Sequence, residues 1–134
     1  MTNARNISDM KENQVAQAMV NFNGLSSSSP FTEDNGGIRS SINVTSVTDN
    51  KAGDYTINFT NTFANSNYTW AGTAGDGYIN RSVANAPSPF AVRSMIVNAN
   101  NFRFACCFAS SSSTANGGYL DRECITIIFF GELS

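Results

Sequence analysis

Two carboxylate pairs invite acid–base chemistry by their spacing: Asp121 with Glu123, which would share a face of a strand, and Glu33 with Asp34 in a turn-rich stretch. Glycoside hydrolysis needs two carboxyl groups about 5–10 Å apart across a bound sugar, and the first pair could meet that need. Solvated loop charges account for both pairs better. The chain contains no histidine, which removes the usual general base, the usual zinc ligand and the Ser-His-Asp and Cys-His arrangements. Cys106 and Cys107 are adjacent and Cys124 stands alone, a spacing that suits neither a zinc site nor a disulfide framework. In a strand one of the adjacent thiols would face the core and the other away from it. The serine tracts Ser26–Ser29 and Ser110–Ser113 lack a neighbouring base and read as loop filler. "DNKAGD" (Asp49–Asp54) lacks the acidic density of a calcium loop. No catalytic residue, metal site or cofactor is expected, and the chain reads as a non-enzyme.

Binding chemistry is better represented. A neutral sugar is held by an aromatic face against the apolar side of its ring, with amides and hydroxyls meeting its hydroxyl groups. Trp70, Tyr78 and Tyr119 lie in or beside stretches that supply such partners. Asp76, Asn80 and Arg81 flank Tyr78; Asn116, Asp121 and Arg122 flank Tyr119. These nine residues form the candidate ligand-binding set. Core or interface packing is the competing role for Trp70 and its neighbour Tyr68, and Arg93 alone says little.

The composition agrees with a binder. Charged residues make up 13% of the 134 residues and the net charge is -2, where globular domains average about a quarter charged. Asn, Ser, Thr and Gly replace the missing charge. Without a basic surface the chain has nothing to exchange for the counterions of a nucleic acid. No run approaches the ~18 apolar residues of a membrane span, and "MTNARNISDMKENQ" lacks the build of a secretory signal. Synthesis and folding in a cytoplasm are therefore expected. The Asn-x-Ser/Thr sequons at Asn6, Asn43, Asn58, Asn67 and Asn80 carry no weight in a chain so rich in these residues.

The elements that must position these groups are strands. Residues 1–14 are polar and read as a separate segment; residues 15–134 read as one domain. Ala16, Ala18, Val20 and Phe22 fall on one strand face. "IRSSINVTSV" (Ile38–Val47) reads as one strand, with Ile42 and Val44 in phase. A turn follows, in which Asp49 and Asn50 close an Asx-turn and Gly53 takes positive φ. "YTINFT" then places Tyr55, Ile57 and Phe59 on one face. "NYTWAG", "FAVRSMIV" and "NFRFACCF" continue the pattern. "CITIIFF" (Cys124–Phe130) is apolar at nearly every position, as in a central strand buried on both faces, by a second sheet on one side and by a subunit or loop on the other. About seven strands, no long helix and frequent turns predict an all-β, antiparallel β-sandwich or small barrel. Long loops at Asn23–Gly37, Ala74–Pro89 and Ala109–Arg122 would decorate it.

A set of blocks occurs in order: "ARNIS" (Ala4–Ser8), "VNFNG" (Val20–Gly24), "IRSSINVTSVTDN" (Ile38–Asn50), "GDYTINFT" (Gly53–Thr60), "FANSNYTWAG" (Phe63–Gly72) and "FFG" (Phe129–Gly131). Together they resemble the C-terminal domain of bacteriophage tail-fibre-like proteins, most specifically over Ile38–Gly72. More faintly the rhythm is similar to the H-type lectins, small trimeric sugar-binding β-sandwiches. Relative to the fibre domains, Leu25–Gly37 is an extended insertion. The resemblance implies a homotrimer and a virion appendage, a tail fibre or short fibre, that recognises a host-surface glycan through its loop tips. Residues 1–14 would attach it to another virion protein if the chain is complete rather than a fragment of a longer fibre. A capsid decoration or head-fibre protein without receptor binding is the alternative. The apolar strand surface of Val20, Phe22 and Ile125–Phe130 is expected to be exposed in a monomer and covered in the trimer.

Overall fold

The computed structural model describes residues 15–75, 90–108 and 118–134. The expected attachment segment, residues 1–14, lies outside the described residues, as do Asp76, Tyr78, Asn80, Arg81 and Asn116. The described chain forms eight strands: β1 (Ala18–Phe22), β2 (Ile38–Ile42), β3 (Val44–Lys51), β4 (Asp54–Phe59), β5 (Thr69–Gly75), β6 (Phe90–Val97), β7 (Asn101–Phe108) and β8 (Cys124–Phe130). They make two four-stranded sheets, ordered β2-β1-β8-β5 and β3-β4-β7-β6. Every pairing is antiparallel, and the described residues contain no helix. The molecule is a β-sandwich.

Alternation explains most of the core. Ala18, Val20 and Phe22 of β1, Tyr55, Ile57 and Phe59 of β4, Phe102, Phe104 and Cys106 of β7, and Ile125, Ile127 and Phe129 of β8 are buried between the sheets. Each such large side chain taken from water contributes roughly 1.5–3 kcal/mol. Cys106 points inward and Cys107 is half-buried, as strand geometry requires.

The structure corrects the expected elements in four ways. The run Ile38–Val47 is two strands, because Asn43 adopts φ 55° and sends the chain from one sheet to the other. Asn tolerates this left-handed conformation better than most residues. Here Asn43 also clasps Asn61, its Oδ1 accepting from Asn61 N at 2.7 Å and its Nδ2 donating to Asn61 O at 3.0 Å. Second, the β3–β4 turn is tighter than expected. Asp49 and Asn50 belong to β3, Lys51 pairs with Asp54, and Gly53 alone takes positive φ, 67°. Third, β8 is central, between β1 and β5, yet within one chain only one of its faces is buried. Thr126 and Ile128 are half-buried and Phe130 is 36% exposed. Fourth, Val20 and Phe22 are 0% exposed in the single chain, so a monomer does not expose them and they need no partner subunit.

The Asn23–Gly37 excursion is not a free loop. Phe31 exchanges two backbone hydrogen bonds with Val47, at 2.8 and 3.0 Å, and its fully buried ring packs on Phe22 and Tyr55.

Strand register divides the sandwich into two poles. β1 ends at Phe22, opposite Ile125 and Ile38; β5 ends at Gly75, opposite Cys124; β6 begins at Phe90, opposite Phe108. The connections 23–37, 76–89 and 109–123 therefore all leave and re-enter at the same end. The Lys51–Asp54 turn is there too, since Asp54 pairs with Ala105 near the end of β7. At the other pole the links are short: Asn43, residues 60–68, residues 98–100 and the C-terminal residues 131–134.

Candidate functional site

At the loop-bearing pole a segment preceding β8 is laid against the β3–β4 turn. Tyr119 bridges Cys107, Leu120 N donates to Cys106 O at 3.3 Å, and Cys106 N donates to Gly53 O at 2.8 Å. This brings Asp121 under the turn. Its Oδ1 accepts from Gly53 N at 2.6 Å and from the Tyr55 hydroxyl at 2.5 Å. Burial, then the hydrogen bond to Asp121, pushes the Tyr55 phenol far above its ordinary pKa, so it stays a donor. Gly24 N donates to Arg122 O at 2.9 Å, tying the start of the 23–37 excursion into the same knot.

Two further acids sit beside it. Asp54 is fully buried, and Arg103 grips it with two hydrogen bonds, Nε to Oδ1 at 2.9 Å and Nη2 to Oδ2 at 2.8 Å. Asn50 Nδ2 adds a third, to Oδ1 at 3.2 Å. The Arg103 hydrogen bonds hold the Asp54 carboxyl below the usual carboxylate range. Asp49 moves the other way. Burial, followed by the charges of Asp121 and Asp54, raises it, and its Oδ1 is buried without a hydrogen-bond partner.

The predicted residues that can be placed fall into three situations. Tyr119 is a surface group: 41% exposed, with Lys51 Nζ 5.9 Å from its ring centroid. Asp121 and Arg122 stand next to it, but the Asp121 carboxylate and the Arg122 carbonyl serve the knot that holds the pole together. Trp70 is elsewhere. It pairs with Phe129 and packs on Phe102 with ring centroids 5.0 Å apart. It lies five residues before Gly75, roughly 17 Å along β5 from the loop-bearing pole. The structure thus unites Tyr119 with Asp121 and Arg122 and separates Trp70 from them.

Nothing among the described residues assembles a metal centre: no group of three or more His, Cys, Asp or Glu side chains is suitably placed. The buried Cys106 thiol is pushed up to about 12, chiefly by burial, which keeps it protonated and unreactive.

One feature escaped sequence reasoning. At the opposite pole Asn65, Asn67, Tyr68, Thr69, Phe130, Gly131 and Glu132 line an open cleft of about 350 Å³. Its two sides are joined by the Thr69–Phe130 pairing of β5 with β8. Only that long-range register makes neighbours of "NSNYT" and "FGE".

Comparison of the chain with protein-family models, with characterised proteins and with solved structures found no match.

Proposed function

We propose that this protein is a non-enzymatic part of a phage virion appendage that recognises a host-surface glycan through the loops at one pole. The convergence of all three long connections on that pole carries the reading. A rigid sandwich that gathers its polar, Asn- and Ser-rich excursions at one end is built to present them. The ordered blocks that resemble tail-fibre domains supply the virion context. Tyr119, exposed beside Lys51, is the aromatic contact within the described residues; Tyr78, Asn80, Arg81, Asp76 and Asn116 belong to connections whose flanking strands end at the same pole.

A homotrimer fits this role, because weak sugar sites gain from being presented in multiple copies. Support comes from the outer face of the β2-β1-β8-β5 sheet. Register aligns Ile42, Met19, Ile128 and Ala71 in one apolar row across it, and Ser40, Asn21, Thr126 and Thr73 in the next. β1, β5 and β8 carry no charged residue; the charge on this sheet is Arg39 of β2, which lies against Cys124 at the loop-bearing end, so covering the Met19–Ile128–Ala71 row desolvates no ion on those three strands.

Binding of the purified protein to a glycan array and to host cells tests the proposal. Specific binding is expected, with at least a tenfold loss in Tyr78→Ala or Tyr119→Ala, equivalent to about 1.4 kcal/mol. A protein that binds virions but no glycan and no cell is a decoration protein, and the adhesion reading then fails. Polysaccharide shortened on incubation with the protein would overturn its non-enzymatic part.

A further inference from the structure

We propose that the cleft at the pole opposite the long loops is a second saccharide site, shaped for a neutral pyranose with adjacent hydroxyl groups. It shares a ligand class with the proposed glycan site at the long loops but none of that site's residues, so the two binding sites stand or fall separately. Phe130 and Thr69 lie on the outer face proposed for the trimer, one row beyond Ile128 and Ala71, and the cleft requires that contact to end at the Ile42–Ala71 row.

Phe130 ends β8 on the outer side of its sheet and keeps 36% of its surface exposed beside Thr69. Its ring offers the apolar surface that a sugar's C–H face needs. Tyr68 forms part of the wall. Its hydroxyl donates to Asn98 O at 2.9 Å and the residue is only 7% exposed, so it backs the cleft as core rather than offering a ring face. Gly131 allows the turn away from β8: a Cβ there would collide with Tyr68 and Phe63. Ala64 N then fixes the next residue by donating to Glu132 O at 2.8 Å. This leaves the Glu132 side chain at the rim.

The polar groups of the cleft are available. Asn65 Oδ1 accepts from Asn67 N at 2.8 Å, which orients the Asn65 side chain and leaves its amide nitrogen uncommitted. The Asn67 amide, the Thr69 hydroxyl and the Glu132 carboxylate have no partner among the described residues. A carboxylate with two free oxygens can accept from two neighbouring hydroxyls, while an amide both donates and accepts. The negative charge of Glu132 disfavours acidic sugars, which settles the ligand class as neutral. A volume of about 350 Å³ lies at the small end of ligand sites and suits one or two sugar rings.

Titration of methyl α-mannoside, methyl β-galactoside and N-acetylglucosamine into the isotope-labelled full chain, followed by amide chemical shifts, tests the site. At least one sugar should shift Asn65, Asn67, Phe130, Gly131 and Glu132 together, with a Kd of about 1–10 mM. Glu132→Gln and Asn67→Ala should each weaken this binding about fivefold or more, the loss expected for one hydrogen bond, with sedimentation unchanged. Tyr119→Ala should leave it intact while abolishing binding at the loops. Absence of these shifts with every sugar, shifts confined to the loop-bearing pole, or full binding by both cleft variants would overturn the proposal.

Discussion

The two poles of the sandwich are closed by different forces. At the loop-bearing pole, ions do the work: Asp121 takes the Tyr55 hydroxyl and the Gly53 amide, and Arg103 chelates the buried Asp54. Arg39 reaches across to Glu123 O at 2.6 Å. At the opposite pole the closure is aromatic and neutral. Phe59, Phe63, Tyr68 and Phe129 interlock, with ring centroids 4.9 Å apart for Phe59–Phe63 and 4.5 Å for Phe63–Tyr68. Amides and hydroxyls finish it, through the Asn43–Asn61 clasp and the Thr62–Ser134 hydrogen bond of 2.6 Å. A chain with so few charges places several of them where long excursions leave the core. Such excursions offer little apolar surface to pack, and charge-assisted hydrogen bonds anchor single backbone groups with direction. The aromatic pole is held mainly by area and the ionic pole by geometry.

The largest effect should come from cutting into the area. Phe63→Ala removes a ring that is 1% exposed and should cost about 3–5 kcal/mol, seen as a lower denaturant midpoint. A loss under 1 kcal/mol would mean that the aromatic pole is not a unit. Next, Asp121→Ala strands the Gly53 amide and leaves the Tyr55 hydroxyl only the Gly24 carbonyl at 3.3 Å, and should cost about 2–3 kcal/mol, whereas Tyr55→Phe removes the hydroxyl and should cost about 1 kcal/mol. Equal losses would show that Asp121 matters only through tyrosine.

The smallest effects are in pH, and they should belong to the ionic pole alone. The folded-state pKa of Asp54 is lowered, so its stabilisation is complete above the ordinary Asp value of about 3.9 and is lost as pH falls through the depressed one. The folded-state pKa of Asp49 is raised, so its favourable contribution exists below the ordinary value and disappears as pH rises through the raised one. Asp49→Asn should therefore lift Tm by a few degrees at neutral pH and by nothing near pH 3. A stabilisation that persists at low pH would argue against an ionisation cost at Asp49.

The strands of this molecule were legible wherever burial follows a period of two. Tyr55-Ile57-Phe59 and Phe102-Phe104-Cys106 lie inward as their alternation demands, and β6, β7 and β8 have the expected limits. Asn43 was illegible because the alternation runs straight through it. A single left-handed residue changes sheets without disturbing the hydrophobic count on either side. Phe31 was hidden in a stretch whose proline, serines and glycines signal a loop, and a loop it is, but one that delivers a ring into the core. Within the candidate site, Tyr119 and Asp121 could be grouped from the sequence only because they are two residues apart in the chain. The cleft of Asn67, Phe130 and Glu132 could not be read, since its sides are more than sixty residues apart.

The amino-acid sequence by itself determined the class of molecule: pleated strands with one apolar face, short of charge and without histidine, because side-chain period and side-chain chemistry are local properties. Tertiary structure alone decided where those strands stand. Register and sheet order brought three distant connections to one end, moved Trp70 away from them against Phe102, and opened a polar cleft at the other end. Pairing between segments far apart in the chain depends on how two sheets fill one core, and no local pattern records that.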